Sequence, residues 1–250
     1  MDIALVTGAS SGLGAEFARA LAEQGKVDEI WAIARRKERF AKLAVECAPA
    51  CIRPIPLDLT DRKSFAALRS LLEQERATIC IIINNVGCCA CGPFEKMPDR
   101  EIESMIDLDV MGMALLDKTA LPFMDRGSYA VLVGSVSSFV SVACQAVYSA
   151  AKAYVRFHGQ ALRTELKKRG VNVLVLSPGN MGTEMNTRGG EGEKAGSLPY
   201  LNVSKIARNS LDRASRGCSF YTPGWFFKGY RIVSKIVPHS IMVRATEGFF

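Results

Sequence analysis

The chain has 250 residues, 48% of them hydrophobic and 23% charged, which is enough for one large core and too apolar for a disordered segment. Its formal charge of +7 raises the question of a nucleic-acid or membrane partner. The excess is local: residues 201–250 hold eight basic side chains (Lys205, Arg208, Arg213, Arg216, Lys228, Arg231, Lys235, Arg244) against Asp212 and Glu247, a local +6 that leaves +1 for the first 200 residues.

Met1-Asp2 leads at once into an apolar strand pattern at Ile3–Val6, without a basic leader or a long apolar run. Neither a secretory signal nor a transmembrane span is expected, so the expected location is cytoplasmic, with free thiols. After Ile3–Val6 come a helix at Leu13–Glu23, a strand at Glu29–Ala34 and a helix over Arg36–Cys47. A third strand is expected at Cys51–Pro56, a helix at Asp61–Glu75 capped by Thr60 or Asp61, and a strand at Ile79–Ile83. The pattern then predicts one long helix over Arg100–Met124, a strand at Tyr129–Val133, a helix over Ala146–Arg169 and a strand at Val171–Leu176. A shorter helix at Val203–Ala214 and a last strand at Cys218–Thr222 complete the series. Such β-α alternation implies α/β architecture: a single doubly wound Rossmann-type domain over residues 1–222, with a mainly parallel sheet of about seven strands between helices. Residues 223–250 form a basic amphipathic helical extension to it, broken near Pro238.

Ligands on such sheets bind beyond the strand C-termini, and the polar motifs fall there. Thr7-Gly8-Ala9-Ser10-Ser11-Gly12-Leu13-Gly14 joins the first strand to the first helix. Glycines at this junction let the backbone turn tightly and approach a pyrophosphate at the helix N-terminus. Where enzymes using NAD place an acid after the second strand, this chain has Arg35 and Arg36. A guanidinium grips a 2′-phosphate that a carboxylate would repel, so the cofactor expected is NADP(H). Asp58 and Leu59 follow the third strand, where Asp58 suits the adenine amino group or a local cap. Asn84 and Asn85, followed by Val86 and Gly87, end the fourth strand, where their amides either tie neighbouring strands or contact ribose.

Tyr148 and Lys152 are four apart near the start of a predicted helix and so share a face. A nearby cation and an oxidised nicotinamide would both lower the phenol pKa, allowing Tyr148 to pass a proton to or from a carbonyl oxygen. Ser135, at the end of the fifth strand, is placed to donate a hydrogen bond to that oxygen. Cys88-Cys89-Ala90-Cys91 lacks metal-site spacing, so no metal is expected, and the thiols are read as small cavity-lining groups.

Together these motifs make residues up to about 215 resemble the short-chain dehydrogenase/reductases. The resemblance rests on Thr7–Gly14, Asn84–Gly87, Ser135 thirteen residues before Tyr148, the Tyr148-x-x-x-Lys152 pair, and Pro178-Gly179 with Thr183. It implies that Tyr148 is the general acid/base, that Lys152 tunes it and holds the nicotinamide ribose, and that Ser135 orients the carbonyl. It also implies that Thr183 and the Pro178-Gly179 turn contact the nicotinamide amide or the pyrophosphate. The expected cofactor contacts are thus Gly8, Ser10, Ser11, Gly12, Leu13, Gly14, Arg35, Arg36, Asp58, Leu59, Asn85, Val86, Gly87, Tyr148, Lys152, Pro178, Gly179, Met181 and Thr183. One position departs from the family. An Asn usual in the central helix is replaced by Asp109, a further catalytic candidate that would set a carboxylate near Lys152.

The substrate is expected between Cys88–Phe94, Phe139–Cys144 and a loop over Asn180–Tyr200 whose Gly189-Gly190-Glu191-Gly192 suits a lid. Cys89, Val140, Cys144 and Met185 are the residues expected to touch it, and they suit a hydrophobic ketone or secondary alcohol. The leading reading is an NADP(H)-dependent carbonyl reductase, similar to hydroxysteroid dehydrogenases. A weakly catalytic nucleotide sensor and a lipid or acyl-chain ketoreductase at a membrane surface are the alternatives. A homodimer or homotetramer is expected from the family. Nucleic-acid binding lacks any recognised module. The tail either packs on the domain and caps the pocket, forms a subunit contact, or lies peripherally on an anionic membrane.

Overall fold

The computed structural model describes residues 1–35, 38–183 and 198–246. Seven parallel strands form one sheet in the order β3-β2-β1-β4-β5-β6-β7. They span β1 Asp2–Thr7, β2 Glu29–Ile33, β3 Cys51–Ile55, β4 Thr78–Asn84, β5 Tyr129–Val133, β6 Asn172–Leu176 and β7 Phe220–Tyr221. Strands buried on both faces need no polar alternation, and β5 is buried at all five positions. Its side chains still divide by parity: Val131 and Val133 enter one apolar cluster, Ala130 and Leu132 the other. Helix α1 (Gly12–Gln24) fills the first cluster with Phe17 and Leu21. Helices α2 (Glu38–Glu46) and α7 (Val203–Ser215) add Phe40 and Leu211 to it. On the opposite face lie α3 (Lys63–Gln74), α5 (Met113–Ala120) and α6 (Ala146–Leu166), through Leu68, Leu116 and Val155.

The long helix expected over 100–124 is interrupted. It divides into α4 (Asp99–Ile106), a π-helical segment Asp107–Gly112, α5 and a 3-10 turn Leu121–Phe123 that contains Pro122. A π segment widens the turn without removing apolar residues, so the hydrophobic period does not expose it. Its effect is local: Asp109 becomes completely buried within this segment.

Strand order reverses between β1 and β4, the position at which doubly wound sheets open a ligand crevice. Thr7 clamps that point. Its hydroxyl donates to the Ile83 carbonyl at 3.3 Å and accepts from the Asn85 and Val86 amides at 2.9 and 3.1 Å. Two further helices, α8 (Trp225–Ile236) and α9 (His239–Ala245), meet at Pro238 as expected. Their inner side packs on the domain: Tyr230 and Phe220 lie against Phe139, Met242 joins Phe139 and Val140, and the Ala143 amide donates to the Thr246 hydroxyl at 3.2 Å. Among the described residues no helix is long and apolar enough to cross a membrane.

Candidate active site

Beyond the strand C-termini lies a cavity of about 400 Å³, walled by residues that directly follow β1, β2, β4, β5 and β6. At the β1 end, Gly8 and Gly12 adopt φ of 64° and 54°, open to glycine and strained for other residues. Gly14 does not reach the cavity. A Cβ there would overlap the Gly8 carbonyl, so its part is to let α1 approach the loop. Ser11 caps α1 without a side-chain hydrogen bond, and the N–H groups of the first turn have no partner within the helix. With Ser10, Ser11, Gly12 and Leu13 in the wall, this is a cradle of the kind a pyrophosphate fills.

Arg35 stands exposed in the wall after β2, while Arg36 lies outside the described residues. Asp58 and Leu59 also line the cavity, but Asp58 is engaged locally: its carboxylate accepts from the Thr60 amide and hydroxyl at 3.0 and 2.9 Å. The two asparagines divide their work. Asn85 lies in the wall with Val86 and Gly87, and its side-chain amide donates to the Thr7 carbonyl at 3.2 Å. Asn84 is wholly buried and turns to α5, donating to the Met113 carbonyl at 3.2 Å and to Asp117 at 2.9 Å. Asp117 in turn meets His158 at 2.9 Å, and Tyr154 stacks on that imidazole. The sequence offered no signal for this buried chain, whose members sit on three separate elements.

Ser135, Tyr148 and Lys152 all line the cavity. Ser135 follows β5, and the adjoining backbone is tied to β6 through Gly134 N–H to Leu176 O at 2.7 Å and Val136 N–H to Pro178 O at 3.0 Å. These bonds fix the relative placement of the serine and of the Pro178-Gly179 turn. The Lys152 ammonium lies 5.6 Å from the centre of the Tyr148 ring. It also donates to the Asp109 carboxylate at 3.1 Å, and the Cys88 amide donates to the same carboxylate at 3.2 Å. Gly87 makes room for the pair, since a Cβ there would strike both Asp109 and Lys152. Asp109 therefore stands behind the cavity wall and acts through the lysine.

Burial pulls the Lys152 ammonium down, but Asp109 and Tyr148 outweigh it and its pKa lies above the ordinary lysine value. Burial pushes the Tyr148 phenol up to about 12, against the opposing pull of Lys152. The downward pull expected from Lys152 is present, but burial of the phenol outweighs it in this site. The lysine charge is already shared with Asp109, and desolvation of a phenolate is the larger effect. At neutral pH this side chain is a proton donor.

Of the expected substrate contacts, Cys89 lines the cavity. Val140 does not: it is buried against Phe139 and Met242, beneath α9. Cys144 also lies off the wall, with its carbonyl accepting from the Gly92 amide at 2.8 Å. Met185 and the glycine-rich stretch 189–192 lie outside the described residues. Burial pushes the Cys88 thiol up to about 11, and contact with Cys91 together with burial drives Cys89 upward. Both are protonated at neutral pH and behave as small apolar groups. Pro178, Gly179, Met181 and Thr183 complete the wall, with Met181 bridged to Leu201 across the loop base.

Val142, within the Phe139–Cys144 segment expected beside the substrate, reaches the wall, and Phe226, Phe227, Tyr230 and Thr246 enter it from the C-terminal helices, the capping arrangement that was one of three readings of the tail. Gln145 lines the wall without having been foreseen. Phe227 packs so closely on Gly179 that a Cβ there would overlap its ring. The missing side chain at 179 is what leaves room for that contact.

Comparison with known proteins follows the same lines. The short chain dehydrogenase family model matches residues 2–194. An uncharacterized oxidoreductase of Staphylococcus aureus (strain MRSA252) is 32% identical over 183 residues, covering 72% of this chain and 78% of its own. A short-chain dehydrogenase from Sphingobium yanoikuyae, solved in complex with NADPH, superposes with a TM-score of 0.81 at 26% identity, covering 97% of this chain and 95% of its own. The bulky-bulky ketone specific alcohol dehydrogenase of Comamonas testosteroni gives 0.77 at 26% identity, over 94% of this chain and 92% of its own.

Proposed function

The chain belongs to the short-chain dehydrogenase family of oxidoreductases, and from that premise we propose that it is an NADP(H)-dependent reductase of hydrophobic ketones. The observation that carries the reading is the meeting of Ser135, Tyr148 and Lys152 in the wall of one cavity that also holds Arg35 and the glycine loop. The Sphingobium protein binds NADPH and the Comamonas protein acts on bulky ketones, which supports the same cofactor and substrate class. Cys89, Val142, Phe226 and Phe227 give the substrate side an apolar lining.

The residues present fit the nucleotide. Gly8 to Leu13 and the α1 N-terminus would hold the pyrophosphate, Arg35 the 2′-phosphate, Asp58 and Leu59 the adenine end, and Asn85 to Gly87 the nicotinamide ribose with Lys152. Pro178 to Thr183 would border the nicotinamide. When bound, NADPH supplies a hydride. The protein's own part is to hold the carbonyl oxygen and deliver a proton to it. The Ser135 hydroxyl donates a hydrogen bond to that oxygen, and Tyr148, protonated at rest, gives it the proton. Lys152 stabilises the phenolate left behind, and Asp109 fixes the lysine head.

Loss of NADPH absorbance with a panel of bulky aromatic, alicyclic and acyl-chain ketones tests the activity. Nucleotide binding without turnover of any of them would favour a sensor. In the same assay Arg35→Ala is expected to raise the KM for NADPH by about ten- to a hundredfold, the worth of one charge-assisted hydrogen bond, and to leave that for NADH almost unchanged. Equal effects on both cofactors would remove Arg35 from the 2′-phosphate.

The proton-donor role has a pH consequence. Reduction needs the protonated phenol, so the rate is full below its pKa and falls as pH rises through it, near 12 for the free site. The Asp109 carboxylate is among the groups raising that value. Asp109→Asn should therefore shift the alkaline limb of the kcat/KM profile to lower pH. An unmoved limb would show that Asp109 is not coupled to the phenol.

A further inference from the structure

Helix α8 has two apolar faces, and the domain uses one of them. Phe227 and Tyr230 point inward to Gly179 and Phe139. Trp225, Ile232 and Ile236, spaced seven and four residues apart, form a second stripe. They are among the most exposed large apolar side chains described, at 85%, 59% and 76%. Val233 lies beside them at 43%, and Ile241 continues the exposed apolar surface on α9 at 58%. A solvent-facing helix surface ordinarily carries charge at such positions.

Cations flank the stripe. Lys228 and Lys235, again seven apart, share one side of α8, and Arg244 is exposed on α9. From Arg213 to Thr246 the sequence has no acidic residue. Arg208 pairs with Glu23, Arg216 with Asp212, Arg213 lies over the Tyr221 ring and Arg231 over the Phe220 ring. Lys228, Lys235 and Arg244 are exposed around apolar side chains. A second copy of this chain is a poor occupant, because a two-fold contact sets the same cations against one another. Zwitterionic surfaces leave those charges unmatched. Tryptophan at the edge of an apolar stripe bordered by lysine is the pattern of a helix lying in a lipid headgroup layer.

We propose that the outer face of α8 and α9 docks on an anionic membrane surface, with Trp225, Ile232 and Ile236 entering the headgroup boundary and Lys228, Lys235 and Arg244 meeting lipid phosphates. The docking is peripheral and independent of the chemistry in the cavity. Phe226 reaches the cavity wall and is also 37% exposed, so a surface bound in this way adjoins the active site.

The test is flotation of the full chain with vesicles of phosphatidylglycerol and phosphatidylcholine, compared with phosphatidylcholine alone. Binding is expected to the anionic vesicles, to weaken with added salt, and to fall more than about tenfold in the triple variant Trp225→Ser/Ile232→Ser/Ile236→Ser. The double reversal Lys228→Glu/Lys235→Glu should abolish the preference for anionic lipid. Trp31 and Trp225 are the protein's two tryptophans, and Trp31 is fully buried, so a blue shift of emission on vesicle addition reports Trp225. Unfolding midpoint and NADPH-dependent turnover of a small ketone in the variants establish that the fold is kept. No flotation of the wild type on anionic vesicles overturns the proposal. So does equal flotation on both vesicle types, or self-association that the triple variant abolishes.

Discussion

Replacing Tyr148 by phenylalanine is expected to lower ketone turnover by about 10²–10⁴-fold while leaving nucleotide binding almost unchanged. The side chain half-buries its ring beside Lys152 and contributes one reacting atom, the phenolic oxygen. Removing it deletes the proton donor and keeps the ring volume, so the cavity wall retains its shape. Ser135 remains able to donate a hydrogen bond to the carbonyl oxygen but, with an ordinary alcohol proton and no cation against it, is a poor acid. The measurement is kcat with a saturating ketone, together with NADPH affinity by fluorescence. Turnover within about tenfold of wild type would mean that another group supplies the proton, and the mechanism above would be wrong.

Lys152→Met should act on stability as well as on activity. It removes the cation that stabilises the phenolate, and it leaves the wholly buried Asp109 carboxylate with the Cys88 amide as its remaining hydrogen-bond donor. Breaking one side of a buried ion pair typically destabilises by about 3–5 kcal/mol, because the other charge stays in low dielectric. Asp109 has a folded pKa above its ordinary value through burial. The penalty is therefore largest at neutral and higher pH and is relieved as pH falls and the carboxyl takes up a proton. Urea unfolding across pH measures it. The double variant Lys152→Met/Asp109→Asn should recover most of the stability and none of the turnover, which separates the structural part of the pair from its chemistry. A loss below about 1 kcal/mol in the single variant would place Asp109 as a neutral acid in the native protein and contradict the ion pair.

The Asp109–Lys152 pair also shows where sequence reading loses its hold. The departure from the family's asparagine was visible at position 109, and so was the prospect of a carboxylate near the lysine. The upward shift of the lysine pKa that such a carboxylate implies is found as well, whereas the rise of the phenol was not legible. Whether a nearby cation lowers a phenol pKa depends on what else shares that cation and on how deeply the phenol is desolvated, and both follow from packing. The π-helical segment that carries Asp109 inward was equally hidden, because a widened turn leaves the apolar spacing almost intact.

Residues close in sequence to a strand end were legible. Gly8, Ser10 to Leu13, Asn85 to Gly87, Ser135 and Pro178-Gly179 all reach the cavity, since a parallel sheet brings every strand C-terminus to one edge. Val140 and Cys144 were misplaced because they lie in an irregular segment, where no period tells which side chain faces inward. Phe226, Phe227 and Tyr230 come from far along the chain, and their entry into the wall depends on how α8 docks.

The sequence by itself determined the doubly wound sheet, its seven strands and the edge at which the polar motifs gather. These are consequences of local periodicity, of glycine at tight turns and of chain order, all written in neighbouring residues. Tertiary structure alone decided other partners: Asn84 with Asp117 and His158, Phe227 with Gly179, and the outward turn of Trp225, Ile232 and Ile236. Each joins residues from separate elements, or sets one helix face against another. Such choices rest on the competition for buried space and charge in the assembled core, which no short window of sequence contains.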